Sequence, residues 1–516
     1  MNAPVETARA GRREWIGLAV LALPCLLYSM DMTVLNLAIP HLSAALKPTG
    51  AQLLWIVDIY GFLIAGSLIT MGTLGDRIGR RKLLMIGAVA FGLASILAAF
   101  STTPAMLIAA RALLGLAAAT LAPSTLSLLR NMFHDPRERT FAIGVWISSF
   151  SAGAAIGPLV GGFLLGYFWW GSVFLIAVPV MILLLLVGPF LLPEFRDPDA
   201  GRLDIVSALL SLVAILSVIY GIKHSAEHGL SPLAGGAIAL GAVLGLVFVL
   251  RQKKLADPLI DLSLFRRPAF SASLLVNLFA FFIAFGSFLF IAQFLQLVLG
   301  LTPLQAGLWS LPSSLAFIVG SMLTSMLTAS IRPPLVMALG LILAAAGFVC
   351  VAWAAANADL VVMIAAFTVF SLGLAPVFTL TTDLVVGTVS AERAGAASAI
   401  AETCTELGGA LGIAVLGSVV TAAYRTGMEQ AARGIPADVA ATARDTLGGA
   451  LTVAADLPLV AGAALIEGAQ GAFSDGLVVA ASVCAVIALA TALLVTLMLR
   501  EVGTPSPDGD VHAAAG

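Results

Sequence analysis

Four acids stand in apolar stretches of the chain, where water is scarce. Asp31 lies inside "LLYSMDMTVLNLAIP" (residues 26–40), Glu402 and Glu406 lie inside "AIAETCTELGGALG" (residues 399–412), and Asp58 lies about one turn inside the run that contains "LLWIVDIYGFLIAG". An ionised carboxylate at bilayer depth costs at least ~2.5 kcal/mol, so each position calls for a partner or a use. Glu402 and Glu406 are four apart, which puts both on one face of a helix with Cβ atoms ~6 Å apart. Such a pair can hold a proton, a cation or, with both members ionised, two positive charges. One cation stands in comparable surroundings: Arg111, in "LIAARALLGLAAA", which also needs a partner or a water-filled cavity. Burial disfavours the charged form of a carboxylate, whereas an arriving cation favours it and displaces the proton. Competition of that kind exchanges one cation for another across a barrier. Aromatic residues of the apolar runs, Trp55, Tyr60, Trp146, Phe279 and Phe282, can add cation–π and stacking surface.

The elements that position these residues are membrane helices. Of 516 residues, 60% are hydrophobic and only 10% charged, with a mean hydropathy of +1.06. Soluble chains carry about 25% charged residues, so this composition describes an all-α polytopic membrane protein. A helix needs roughly 20 apolar residues to cross the hydrocarbon, and fourteen such runs follow one another between residues 15 and 499. Measured from the nearest predicted helix start at 1.5 Å per residue, Glu402 is ~10 Å deep, Glu406 ~16 Å and Asp31 ~24 Å. With the N-terminus inside, the inner segments hold 20 of the 26 Lys and Arg, the outer loops 5, and Arg111 lies within a span. The positive-inside rule therefore predicts that both termini are cytoplasmic. The first run is longer than a cleavable signal sequence and lacks a small-residue cleavage site, so it is expected to be retained.

The fourteen runs divide as six, two and six: a bundle over residues 15–192, two linker helices over 203–250, and a second bundle over 270–500. Residues 424–475, Ala- and Gly-rich with scattered charges, are expected to form an extracytoplasmic loop of amphipathic helices between the last two spans. A faint repeat supports two related bundles. "GTLGDRIGRRKLLMIG" follows the second run, and "GSMLTSMLTASIRPPLVMALG" follows the tenth, keeping the glycine and an arginine without the aspartate. Transporters built from related halves place substrate between them near the midplane.

Other chemistry has little support. The net charge of −2 and the pI of 6.2 point to no nucleic acid. Cys25, Cys350, Cys404 and Cys484 fall inside apolar runs and read as small core residues, not as a disulfide or zinc framework. The five histidines are scattered, with only His224 and His228 at helical spacing, in what reads as a hydrophilic outer loop. No metal, cofactor or enzymatic cluster is expected.

Two further motifs concern conformation. "GTLGDRIGRRK" packs Gly72, Asp76, Arg77, Gly79, Arg80, Arg81 and Lys82 into a tight turn between helices. It reads either as a topogenic basic loop or as a latch in which Asp76 gains and loses a charged or helix-terminal partner between conformations. "SAGAAIGPLVGGFL" carries Gly153, Gly157, Pro158, Gly161 and Gly162 along one span, a groove for close helix approach with a bend.

These motifs together resemble the major facilitator superfamily. "GTLGDRIGRRK" looks like its loop between helices two and three, "RALLG" like its fourth-helix arginine motif, and "GAAIGPLVGG" like the fifth-helix motif of its antiporters. "MDMTVLNLAIP", "WWGSVFLIAVP", "LLWIVDIYGFLIAG" and "AIAETCTELGGALGIAVLGS" narrow the likeness to the fourteen-helix drug:proton antiporters. The chain departs from that pattern at Ala177, where Asn is common, and at Ala401, where a second acid often stands. The resemblance implies a monomeric, multi-pass exporter of the bacterial cytoplasmic membrane, driven by protons and taking lipophilic, mainly cationic compounds such as quaternary ammonium antiseptics and dyes. It implies proton coupling at Asp31 and Arg111, cation binding by Glu402, Glu406 and Asp58 with Trp55, Tyr60 and Trp146, and a switch in the Asp76 loop. Export of an endogenous lipid, siderophore or antibiotic is the alternative.

Overall fold

The computed structural model describes residues 9–48, 50–196, 204–228, 231–255, 258–389, 394–431, 440, 443–444 and 446–499. Among them fourteen helices are long and apolar enough to cross a membrane. We label these α1 (Arg12–Leu46), α2 (Gly50–Ile78), α3 (Arg80–Ala99), α4 (Pro104–Met132), α5 (Pro136–Tyr167), α6 (Ser172–Leu191, interrupted at Ile176) and α7 (Ile205–His228). The rest are α8 (Pro232–Gln252), α9 (Pro268–Gln293, closing in a π turn), α10 (Gln305–Thr328, interrupted at Ser310), α11 (Pro333–Asn357), α12 (Leu360–Gly387), α13 (Ala394–Ala431) and α14 (Leu459–Met498).

Hydrocarbon offers backbone groups no partner, so the spans must be helical, and their ends are written in the sequence. α4, α5 and α8 each begin with a Thr, Asp or Ser cap followed by proline: Thr103 accepts from Met106, Asp135 from Arg137 and Glu138, and Ser231 from Ala234. Within the spans Ser and Thr hydroxyls bond the carbonyl one turn back, as Thr140, Thr324 and Thr368 do.

The helices gather into two bundles and a hairpin. α1 packs on α5, α2 on α4, and α3 on α4 and α6; in the second bundle α9 packs on α13, α10 on α12, and α11 on α12 and α14. α7 and α8 lie against each other, and α7 lies against α2 and α13. Gly221 and Gly241 let the hairpin backbones approach, since a Cβ on either would press on the other helix. α5 meets α10, and α2 and α4 meet α13, which joins the halves. One end of the assembly carries the α2–α3 turn, the starts of α1, α5 and α13 and most of the arginines; we call it the basic face.

Three sequence readings change on the structure. The region expected as a loop over 424–475 contains the end of α13, a short helix (Leu447–Ala454) and the beginning of α14. Alanine-rich sequence keeps helix propensity after its hydropathy has fallen, and Tyr424 donates to the Ala443 carbonyl at 2.8 Å, which folds the segment back on α13. His224 stands on the last turns of α7, stacked on Tyr220 with ring centroids 5.7 Å apart, and not in a loop. Cys25 and Cys484 are buried, but Cys350 is on the exposed side of α11.

Candidate functional site

The site begins with the close approach of α2 and α4. Gly115 lies on the α2 backbone, where a Cβ would come within 2.5 Å of the Tyr60 carbonyl oxygen. One turn earlier on α4, Arg111 reaches into this seam, its side chain 1% exposed. Its Nε donates to the Ile56 carbonyl at 3.1 Å, and its guanidinium carbon lies 4.5 Å from the centre of the Tyr60 ring. A terminal nitrogen of the guanidinium pairs with the Asp31 carboxylate on α1. The acid and the cation of the two apolar runs thus meet. Removing one member of such a buried pair strands the other, at about 3–5 kcal/mol.

α1 is fixed at this depth by α5. A Cβ on Gly153 would collide with the Leu26 carbonyl, and one on Gly157 with Thr33, while Gly161 abuts Val34. Gly162 has open space instead. The glycine stripe therefore sets the seam along which Tyr28, Asp31 and Thr33 lie.

Across from α1, α13 presents the remaining acids. Tyr28 donates its hydroxyl to Glu406 Oε1 at 2.9 Å, a bond between the two halves. Among the described residues no hydrogen bond reaches Glu402, which lies one turn nearer the basic face. That turn of α13 is held by Asn277 of α9, whose amide donates to Thr405 Oγ1 at 3.0 Å and to the Ala401 carbonyl at 3.3 Å. Thr381 of α12 donates to the Asn277 oxygen at 3.2 Å. Gly408 and Gly412 press on α9 backbone carbonyls, as Gly153 does on α1.

An aromatic wall joins the acids. The Tyr28 ring lies 5.6 Å from Phe150 and 6.2 Å from Tyr60, and Phe150 lies 4.8 Å from Trp146. Trp146 is anchored by its Nε1 donating to Thr125 at 3.0 Å. Of the aromatic candidates, Tyr60 and Trp146 join this wall. Trp55 does not: it is 45% exposed, edge-on to Phe62, and Phe62 packs with Ile219 of α7. Phe279 and Phe282 lie on α9. Asp58 and Pro158 are on α2 and α5, with side chains outside the described residues.

The turn at Gly72–Lys82 lies at the basic face, apart from the acids. Gly79 takes the left-handed backbone the reversal requires (φ 111°). Asp76 pairs with Arg80 across it, and its Oδ2 accepts the Ala396 N–H at 3.1 Å, at the beginning of α13. Arg80 N–H donates to the Phe195 carbonyl at 2.8 Å. Arg81 donates to the Pro189 and Leu192 carbonyls, each at 3.0 Å, so the turn is tied to the end of α6.

Three participants escaped the sequence reading. Tyr28 and Asn277 are ordinary span residues. Asp383 is a second clasp between the halves: Arg139 Nε donates to its Oδ1 and Thr140 Oγ1 to its Oδ2, both at 2.7 Å. Nearby, Ser321 donates to the Gly144 carbonyl at 3.2 Å. The available signal was the polar triplet "TTD" within an apolar run, but placing the end of the twelfth span at residue 382 left Asp383 outside it. Among the described residues no group of three or more His, Cys, Asp or Glu could hold a metal ion.

Two helical bundles that meet at a seam of acids and aromatic rings, clasped at one face, define a transporter of the membrane. The chain belongs to the Major Facilitator Superfamily, whose family model matches residues 21–413. It is 43% identical to the multidrug efflux pump LfrA of Mycolicibacterium smegmatis, over 96% of this chain and 98% of that protein. It is 35% identical to the methyl viologen resistance protein SmvA of Salmonella typhimurium (89% and 93%). With the tetracenomycin C resistance and export protein of Streptomyces glaucescens the identity is 31% (95% and 92%). The crystal structure of the human organic anion transporter MFSD10 has the same fold, with a TM-score of 0.59 at 16% identity over 93% of this chain and 99% of that one.

Proposed function

We propose that this protein exports lipophilic, mainly cationic compounds from the cytoplasm in exchange for protons, with both termini cytoplasmic and the basic face inward. One observation carries the reading: the cleft joins an acid balanced by an arginine, Asp31 with Arg111, to two acids on α13 whose bundle has no Lys or Arg in its spans before Arg425. Negative charge inside an apolar, aromatic-lined space attracts a lipophilic cation or a proton. A cation leaving outward and a proton arriving at the same carboxylates complete the exchange, with ~2.3 kcal/mol per charge supplied by each 100 mV of membrane potential. A pair of acids suits a dication, and methyl viologen, named for one relative, is a dication. The clasps at Asp76 and Asp383 would govern opening at the basic face and not binding.

Export of an endogenous product is the second reading, favoured by the relative named for tetracenomycin C export. The test is uptake into inverted vesicles carrying the protein. Ethidium and methyl viologen should accumulate when a proton gradient is imposed and stop when it is collapsed. Transport indifferent to the gradient overturns proton antiport, and gradient-driven proton movement with neither compound moves the assignment to the second reading.

A further inference from the structure

We propose that the first bundle holds one anionic phospholipid on the exposed flank of α3, its acyl chain in an apolar groove along the helix and its phosphate at Lys82. The export reading does not use this site.

The groove has a volume of about 460 Å³ and is formed by α2, α3 and α4. Along α3 it runs from Leu83 to Leu97, ~21 Å at 1.5 Å per residue, more than the ~15 Å of hydrocarbon in one leaflet. Its floor is made of small side chains, Ala90 and Ala94 of α3 and Ala117 of α4. At Gly87 the two helices touch, and a Cβ there would run into Thr120. Ile86 and Leu93 of α3 and Leu113 and Leu116 of α4 stand above that floor as exposed rims. Met71 and Leu74 of α2 line the end nearest the basic face. Small residues between larger ones make a trough that admits a hydrocarbon chain.

The charge lies at one end. Lys82 is exposed and comes four residues before Ile86, so it stands one turn beyond the groove on the same side of α3, towards the basic face. Arg77 comes three residues after Leu74 on α2 and adds positive charge at that end. The acids of the turn are engaged elsewhere: Asp76 pairs with Arg80 and accepts the Ala396 N–H at 3.1 Å, and Glu194 accepts the Arg81 N–H at 3.2 Å. Among the described residues that line the groove none is charged, and the hydroxyl of Thr120 donates to the Ala117 carbonyl of its own helix at 2.7 Å. A lipophilic cation therefore finds no counter-charge in the groove and meets Lys82 at its end. A long apolar trough that ends at positive charge fits an amphiphile with a straight tail and an anionic head. The bilayer supplies one, since anionic headgroups gather at basic residues beside membrane helices.

The full-length protein in detergent is mixed with dioleoyl-phosphatidylglycerol or dioleoyl-phosphatidylcholine at equal concentration, and bound lipid is counted by native mass spectrometry. Wild-type protein should keep one phosphatidylglycerol about fivefold more often than one phosphatidylcholine, the factor that one basic side chain supplies at an anionic surface. Lys82→Gln should bring phosphatidylglycerol down to the phosphatidylcholine level and leave the latter unchanged. Ala90→Trp, which fills the groove from an exposed position, should lower both lipids at least fivefold. Equal retention of the two lipids by wild type overturns the proposal, as does an undiminished preference in Lys82→Gln or unchanged retention in Ala90→Trp. Glycerol phosphate, a headgroup without chains, should not displace phosphatidylglycerol at the same concentration; displacement makes this a site for free anions and overturns the lipid assignment. A lipid-free dimer that disappears in Ala90→Trp makes a second copy the occupant and overturns it too. If Ala90→Trp does not assemble, Ala90→Leu should lower both lipids at least twofold, and unchanged retention there overturns the proposal.

Discussion

The two bundles treat their buried acids in opposite ways. In the first, Asp31 is matched by Arg111, and the arginine is in turn held by the Ile56 carbonyl and the Tyr60 ring. In the second, Glu402 and Glu406 stand in a bundle with no Lys or Arg in its spans before Arg425, and Glu406 accepts the Tyr28 hydroxyl from the opposite half. The contrast is instructive because an acid paired with an arginine and two neighbouring acids on one helix face respond to different visitors. Neutralising Asp31 strands a guanidinium, so on the proposed reading a proton arriving there must change how α1 and α4 are held together. On the proposed reading, the two acids of the second bundle take up the positive charge of the cargo. On the proposed reading, one bundle registers protons and the other cargo.

Asp31→Asn strikes the matched pair directly and carries the largest expected effect. It keeps the shape, removes the titrating group and leaves Arg111 without its acid, a loss of about 3–5 kcal/mol at a buried pair. Gradient-driven efflux from energised vesicles should fall more than ~100-fold at matched expression, for every substrate. Wild-type rates in this variant would erase the distinction between the bundles.

Arg111→Ala tests the other partner. Transport should persist weakly but lose its dependence on pH over roughly pH 6 to 8, since the field that sets the response of Asp31 is gone. An unchanged profile, with the protein correctly assembled, would make the arginine a packing element.

Glu402→Gln and Glu406→Gln sharpen the side of the second bundle. Methyl viologen transport should fall ~10-fold or more and ethidium transport ~3-fold, because a dication needs both negative charges. Equal losses for the two would show that the acids do not divide the charge of the cargo.

The smallest effect is expected where an ion pair lies outside the cleft. Asp204, just before α7, accepts from Arg251 at 2.8 Å, and that hydrogen bond holds its carboxyl down at about 2, below the ordinary carboxylate range. A lowered folded-state value means that the stabilisation is complete above about pH 4 and is lost only as pH falls towards 2. Asp204→Asn should therefore leave transport unchanged and shift the melting midpoint of the purified protein by no more than ~2 °C at any pH between about 5 and 8. A steep change within that window would mean that the linker hairpin takes part in the cycle.

Much of this contrast could be read from sequence, for a physical reason. Hydrocarbon requires long apolar runs, so fourteen spans stand out, and a lone acid and a lone arginine in such runs must each be accommodated. What could not be read was long-range geometry. Arg139 and Asp383 are 244 positions apart, and no local pattern announces their meeting. Tyr28 and Asn277 act through hydrogen bonds that any span tyrosine or asparagine can make. Trp55 and Trp146 have equal credentials as aromatic residues, and only packing separates the one on the α7 side of α2 from the one in the wall. The lengths of α13 and α14 escaped because hydropathy marks where a helix leaves the membrane, not where it ends.

The glycine seams also bear on how such a pump adapts. Gly153 and Gly157 rest on α1, and Gly408 and Gly412 on α9, with no room for even a methyl group. Under selection by a new drug, substitutions at these positions would part the helices before they reshaped the cleft, so they are closed to adaptive change. Resistance variants should instead accumulate beside the seams, at positions where no glycine contact presses one backbone on another. The acids keep their place while the walls around them evolve.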